Sequence, residues 1–225
     1  MTIDYDAYGS ESDAGPFPIP LDAPIEGGPA STGDRHVIVV DRYRCELFEL
    51  FDATPGSDSW TAASGARFAL DSSDLRPDGW TSADAAGLPI FAGLVRYDEV
   101  VSGAIDHAIR FTAPQTQARH VWPARHHASS STNPDLPPMG QRFRLKAGFD
   151  VSGHSPEVRV ILTAMKRYGV ILADNGSPWY ISGAPDERWD NDLLRELKEI
   201  PGSAFEAVDT SGMMIHPDSG RAVQP

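Results

Sequence analysis

Residues 36–51 read HVIVVDRYRCELFELF, in which two apolar runs are separated by a polar turn. The first run, 36–40, is rich in β-branched residues, which favour a strand. Asp41–Arg44 supplies the turn, and 45–51 returns with Leu and Phe. This pattern predicts an antiparallel β-hairpin, and the surrounding sequence repeats the theme of short strands joined by turns.

Five further segments outside this hairpin favour strands. Alternation of apolar and polar residues indicates strands over 104–113 and 142–149, and 119–127 is predicted as a strand bent at its proline. The turn Asp-Asn-Gly-Ser separates 170–173 from 179–181 and predicts a second hairpin. Many short strands and frequent Gly/Pro turns predict a mainly β fold, an antiparallel β-sandwich or jelly roll with two short helices.

The first of these helices has clear end signals. Ser155 suits the N-cap, Pro156 suits the first position, and Gly169 suits the residue after the last turn. A second short helix is predicted over 191–200, before Pro201.

Three parts of the chain are distinguished by composition. Residues 1–34 carry closely spaced prolines and are predicted to form an extended Pro/Gly-rich arm. Residues 35–211 are predicted as one β-rich domain. Residues 212–225 are expected to be a loosely held tail.

Charge and composition exclude several function classes. The chain has 225 residues with 32 acidic against 19 basic side chains, a net charge of −13 that disfavours nucleic acid as a partner. No apolar run approaches the roughly 20 residues that a membrane-spanning helix needs. The single cysteine, Cys45, excludes an intrachain disulfide. No phosphate-binding loop, dinucleotide fingerprint, zincin motif or EF-hand occurs.

Several segments taken together carry a resemblance. They are GPFPIP (15–20), APIEGG (23–28), GDRHV (33–37), GWTSADAAGLP (79–89), GAIDHAIRF (103–111), VWPARH (121–126), and YG (168–169) followed by ADNGS (173–177). This combination resembles a group of largely uncharacterised bacterial proteins, mostly predicted to be secreted, over residues 12–211. The group has no established activity, so the resemblance implies none. It implies export, although the acidic start Met1–Asp6 does not have the character of a signal peptide. A trimmed secreted protein and an intracellular or phage-encoded relative both stay open.

Four residues are candidates for catalysis. His107 alternates with Ile105, Ile109 and Phe111, so it is expected on a buried strand face, either as a general base or as a hydrogen-bonded core histidine. A lyase needs a cation that neutralises a uronate and a side chain that takes a proton, and Arg110 and Tyr168 supply these types. Asp174 belongs to the turn after 170–173 and can supply a carboxylate to a site or to a calcium ion.

Two segments are candidates for substrate binding. Trp122, Arg125 and His126 lie on the strand predicted over 119–127, where an aromatic ring with basic neighbours suits a sugar platform. Arg144 and Lys146 continue a basic stripe that begins at Arg142, typical of an anionic-glycan groove or of a solvated face paired with carboxylates.

These patterns favour an extracellular-type carbohydrate-active protein that cleaves a polysaccharide, as a glycoside hydrolase or a lyase. The alternatives are a non-catalytic carbohydrate-binding module and a structural or interaction protein, for example a phage virion or cell-surface component. A serine hydrolase with a triad drawn from Ser82, Asp84, His107 and Asp174 is less favoured, because no Gly-x-Ser-x-Gly elbow occurs. No resident metal or cofactor is predicted, with calcium left open, and the oligomeric state is undetermined.

Overall fold

The computed structural model describes residues 1–223, which are mainly β-structure with a few short helices. The strands of this part of the chain are β1 (Thr2–Tyr5), β2 (Val37–Asp41), β3 (Glu46–Phe51), β4 (Thr54–Pro55), β5 (Ser59–Ala62), β6 (Ser64–Ala69), β7 (Ile109–Ala113), β8 (Arg142–Leu145), β9 (Val170–Asn175), β10 (Tyr180–Ile181) and β11 (Phe205–Val208). The α-helices are α1 (Ile90–Gly93), α2 (Tyr97–Ser102), α3 (Pro156–Arg167) and α4 (Asn191–Leu194), with 3₁₀ turns at Gly9–Glu11, Arg195–Glu199 and Gly202–Ala204. The mainly β prediction is confirmed, and the structure contains two further short helices, α1 and α2, of which α2 coincides with a helical pattern over 96–101 that ends before Gly103.

The hairpin predicted over 36–51 forms. β2 pairs antiparallel with β3, and β6 adds to the other edge of β3. The turn is held by Asp41, whose Oδ1 accepts the backbone N–H groups of Tyr43 at 3.0 Å and Arg44 at 3.2 Å. This antiparallel sheet of three strands forms one wall of the cleft described below.

A second sheet has five strands in the order β10-β7-β9-β8-β11. Helix α3 covers one face, where Ile161 and Leu162 pack with Leu172 in the largest apolar core. Most strand pairs are antiparallel, but β7 and β9 are parallel, as are β1 and β5 in the third sheet.

The second predicted hairpin does not form. β10 pairs with β7, through Tyr180 opposite Thr112 and Ile181 opposite Phe111, and not with β9. The reason is that β9 is a central strand whose two edges are already occupied by β7 and β8. The chain after the Asn-Gly turn therefore reaches the next free edge, that of β7.

The strand predicted over 119–127 is also wrong. Only His120 makes a bridge there, to Met139. Pro123 has no N–H for a ladder, and the N–H groups of Arg125 and His126 both point to the Ala86 carbonyl, at 2.8 and 3.4 Å. The backbone of this segment is thus used to hold the loop around Ala86.

The N-terminal segment 1–34 and the tail are both attached to the rest of the molecule. β1 joins the third sheet, β1-β5-β4, and Phe17 and Ile19 are almost completely buried in its core. The tail was expected to be loosely held, yet the Gly220 N–H donates to the Ser73 carbonyl at 2.6 Å and the Leu75 N–H donates to the Asp218 carbonyl at 3.0 Å. The last two residues of the predicted tail, 224 and 225, lie outside the described residues.

Helix α3 follows the predicted end signals at most positions. Pro156 begins it, and Gly169 follows its last turn with φ of 77°. Ser155 does not cap with its side chain, and its backbone N–H donates to Glu196 Oε2 at 2.9 Å. Across residues 1–223, no helix combines the length and the apolar character that a bilayer crossing requires.

Candidate functional site

A cleft with a volume of about 410 Å³ lies between the five-stranded sheet and the β2-β3-β6 sheet. Strands β3 and β6 contribute apolar side chains to one wall, and β7, β8 and β9 contribute to the other. Its lining includes Leu47, Phe68, Leu70, Leu75, Leu88, Trp122 and Ile171, together with Arg76, Asp84, Arg110 and Arg142. Apolar walls with a few convergent polar groups are typical of small-ligand sites, whose volumes run from roughly 300 to 1,000 Å³.

The wall formed by the five-stranded sheet presents two arginines in register. Arg110 on β7 and Arg142 on β8 are both opposite Ile171 on β9, and all three side chains line the cleft. Neighbouring positions on these strands, such as Ile109 and Val170, point the other way into the core under α3. The alternation of a strand therefore separates an apolar face from a basic one.

A buried ion pair is the most ordered polar feature of the cleft. Arg110 Nε donates to Asp84 Oδ2 at 2.8 Å, and its Nη2 donates to Asp84 Oδ1 at 2.7 Å. The remaining Nη1 donates to the Ser182 hydroxyl. The exposed fractions of the two side chains are 9% for Arg110 and 1% for Asp84, so the two-point contact holds a guanidinium and a carboxylate in one orientation.

Two more carboxyl groups lie near this pair. Burial raises the pKa of Asp174 to about 7, and repulsion from Asp84 adds to the rise although Arg110 opposes it. Burial likewise raises the pKa of Glu49 to about 7, against the backbone N–H groups of Phe91 and Ile90, which donate to it at 2.8 and 2.9 Å. Burial is the main cause in both groups, and the negative charge of Asp84 raises both pKa values further.

The structure brings together two of the four predicted catalytic residues. Arg110 and Asp174 lie in this cluster, although Asp174 itself does not line the cleft. His107 precedes β7 instead of lying on it, and its Nε2 contacts Glu99 Oε2 at 3.3 Å. Tyr168 donates its hydroxyl to Asp106 at 3.0 Å, on an exposed part of the surface.

The three predicted sugar-platform residues make different contacts and do not form one surface. The Trp122 ring lines the cleft, and its Nε1 donates to the Ser219 carbonyl at 2.8 Å. Arg125 is buried and holds the tail, through the Pro217 carbonyl at 2.9 Å and Asp218 Oδ1 at 2.8 Å. The Nδ1 atom of His126 contacts the Ala85 carbonyl at 2.9 Å. The predicted sugar platform depended on a strand, which this segment does not form.

The three residues of the predicted basic stripe, Arg142, Arg144 and Lys146, also differ in their surroundings. Arg144 is exposed and donates from Nε to Glu206 Oε1 on β11 at 2.6 Å. Lys146 donates to the Ser203 carbonyl at 2.9 Å, and neither residue lines the cleft. Arg142, at the start of the stripe, is the member that does.

A serine nucleophile is not assembled at Ser82. Its hydroxyl donates to the carbonyls of Leu88 at 2.7 Å and Asp84 at 2.9 Å, and its exposed fraction is 2%. These bonds fold the loop that presents Asp84 to Arg110. Within residues 1–223 no group of three or more His, Cys, Asp or Glu side chains is arranged to hold a metal ion.

Sequence reasoning missed Glu49 and gave Asp84 only a role in the serine-hydrolase alternative. Glu49 interrupts the apolar run 47–50, and a carboxylate among apolar strand residues is the signal that was present. Asp84 becomes a partner of Arg110 only through a contact across 26 positions of the chain, which no local pattern reveals.

Neither the comparison with protein-family models nor those with curated proteins and solved structures found a match for this chain. The class that the fold and site define is therefore a mainly β protein with an inter-sheet cleft around a buried Arg–Asp pair. The resemblance to secreted bacterial proteins stays a prediction.

Proposed function

We propose that the protein binds a saccharide chain in the inter-sheet cleft. The observation that carries this proposal is the combination of the Trp122 ring in the wall with the ordered Arg110–Asp84 pair in the same cleft. Sugars are recognised by stacking of their C–H faces on aromatic rings and by hydrogen bonds from fixed polar groups to their hydroxyls. In this proposal the two sheets that line the cleft act as the layers of a sandwich, and the resemblance supports an extracellular setting.

The test is a titration followed by ¹H–¹⁵N NMR, with neutral and acidic oligosaccharides as probes. We expect shift changes confined to cleft residues, at least tenfold weaker binding in Trp122→Ala, and retained binding in Trp122→Phe, which keeps an aromatic ring. Trp189→Phe is the matched control, because Trp189 packs against Tyr97 outside the cleft. Absence of shifts with every saccharide would overturn the proposal.

Cleavage of the bound chain is the second candidate function. The candidate general acid is Asp174, because burial raises its pKa to about 7 and it lies beside the Arg110–Asp84 pair, although its own side chain does not line the cleft. His107 and Tyr168, the residues expected to serve a lyase, make their contacts elsewhere, which favours hydrolysis over elimination.

Mass spectrometry of the incubated saccharides separates these readings. Hydrated products that disappear in Asp174→Asn, with binding retained, support a hydrolase. Unsaturated products support a lyase and contradict the role of Asp174. A saccharide that is bound but never cut leaves the protein as a carbohydrate-binding module.

A further inference from the structure

Three arginines line the cleft, and two of them form ion pairs with carboxylates of the protein. Arg76 donates from Nε to the Thr81 carbonyl at 2.7 Å and from Nη2 to the Glu11 carbonyl at 2.8 Å, and it pairs with Asp13. Arg110 donates hydrogen bonds to the Asp84 carboxylate and to the Ser182 hydroxyl. Both cations therefore have a counter-charge supplied by the protein.

Arg142 differs from these two arginines. Its Nη1 donates to the Tyr168 carbonyl at the end of α3, but its Nε is buried and finds no acceptor among residues 1–223. No carboxylate of that part of the chain forms an ion pair with it. Burial lowers the pKa of Arg142, because the cation has lost water and gained no opposite charge. A buried donor without an acceptor is unfavourable, so the protein itself satisfies the Arg142 guanidinium incompletely, while the residue lines the cleft.

We propose that Arg142 binds a carboxylate of the ligand, so that the saccharide taken by the cleft is an acidic one with uronic acid units. This inference rests on the proposed function and adds the substrate class. Arg142 and Arg110 are two strands apart on either side of Ile171, a span of roughly 10 Å across the sheet. One ligand can therefore contact the Arg110–Asp84 pair with its hydroxyls and Arg142 with its carboxylate.

A carboxylate fits this site better than a phosphate group. A single unneutralised guanidinium balances a single negative charge, and its parallel N–H groups match the two oxygens of a carboxylate. A doubly charged anion would meet the field of Asp84 and of a chain with net charge −13.

The experiment compares oligogalacturonate and oligoglucuronate with their methyl esters, which remove the charge and keep the sugar. Dissociation constants are measured by calorimetry for the parent protein, Arg142→Gln and Arg142→Lys. Arg144→Gln is the matched control, because Arg144 lies two residues along β8 but is exposed and paired with Glu206. Melting curves verify that each variant is folded.

We expect the acid form to bind the parent protein at least tenfold more tightly than its ester. That preference should vanish in Arg142→Gln, persist in part in Arg142→Lys and stay unchanged in Arg144→Gln. Equal binding of acid and ester by the parent protein overturns the role of Arg142 and leaves saccharide binding intact. So does a preference that survives in Arg142→Gln.

Titrations with acetate and inorganic phosphate distinguish failure of the saccharide proposal from failure of the carboxylate site. If acetate binds at Arg142 and no saccharide binds anywhere, the proposed saccharide function fails while the carboxylate site stands. Tighter binding of phosphate than of any carboxylate overturns the inferred ligand class.

Discussion

Three carboxyl groups lie near one guanidinium, that of Arg110. Asp84 forms the two-point pair with Arg110. Glu49 and Asp174 lie close enough to interact electrostatically with the same guanidinium. Removal of one member of a buried pair is costly, because the partner keeps its charge without compensation. At the residue scale this cluster is therefore both the candidate site and a contributor to stability.

Asp84→Ala should lower the free energy of unfolding by about 3–5 kcal/mol, because it leaves the buried Arg110 guanidinium without a counter-charge. Arg144→Ala, which breaks the exposed pair with Glu206, should cost less than about 1 kcal/mol. Urea denaturation measures both values. Similar losses in the two variants would contradict the assignment of Asp84 as the buried partner.

Stability should fall as pH rises from about 5 to about 7. The folded-state pKa values of Glu49 and Asp174 are raised to about 7, so between their ordinary values and 7 the folded protein binds more protons than the unfolded chain. The unfolding free energy therefore decreases with pH in this window.

This pH dependence is checked by measuring the slope of the unfolding free energy against pH in Glu49→Gln. The comparison uses the slope alone, so a change in the overall stability of the variant does not affect it. We expect a shallower decline in that variant than in the parent protein. Glu46→Gln on the same strand, which removes a carboxylate that pairs with Arg67 at 2.6 Å, serves as the control. An equal slope in the parent protein and Glu49→Gln would exclude Glu49 as a source of the effect.

At the scale of elements, the passage from α3 into β9 positions the cleft. Gly169 ends the helix in the left-handed region, and its carbonyl accepts the Ile109 N–H at 3.1 Å, which aligns β7 with β9. The register set here places Arg110 and Arg142 on either side of Ile171. A disturbance at Gly169 is therefore transmitted to the site.

Gly169→Ala should destabilise the protein by about 2 kcal/mol or more. Its φ of 77° is unfavourable for alanine, and a Cβ there would press against the Phe143 carbonyl. Gly153→Ala is the matched control, since a Cβ at that position meets nothing within 4 Å and no positive φ is involved. Thermal melting compares them, and an unchanged melting temperature in Gly169→Ala would refute the argument.

At the scale of the whole molecule, the proline-rich N-terminal segment contributes to a core of its own. Phe17 is 1% exposed and its ring lies 5.0 Å from that of Phe48 on β3, so segment 1–34 is packed against the cleft-forming sheet. The largest apolar core lies under α3, on the far face of the five-stranded sheet. The cleft occupies the space between the two sheets.

Phe17→Ala should cost about 3–5 kcal/mol, the usual loss for a buried aromatic ring. Leu70→Ala, at a side chain that is 43% exposed, should cost much less. Chemical denaturation followed by Trp fluorescence provides the measurement. A negligible loss in Phe17→Ala would mean that segment 1–34 does not stabilise the fold.

Local patterns determined the hairpin at 36–51, helix α3 with its Gly169 terminus, and the mainly β composition. Each depends on neighbouring residues, through β-propensity, turn chemistry or end signals, so the sequence alone was sufficient. Among the candidate site residues, Arg110 and Asp174 were recognised by type. Their proximity was not, because it arises from strands that meet only in the folded chain.

Tertiary structure alone decided the remaining features. The Asn-Gly turn favoured a hairpin, but occupied edges of β9 sent β10 to β7. Arg142, Arg144 and Lys146 look alike in sequence, yet only Arg142 lines the cleft. The physical reason is that a strand pattern specifies which face a residue occupies, whereas pairing partners, burial and counter-charges come from segments distant in the chain.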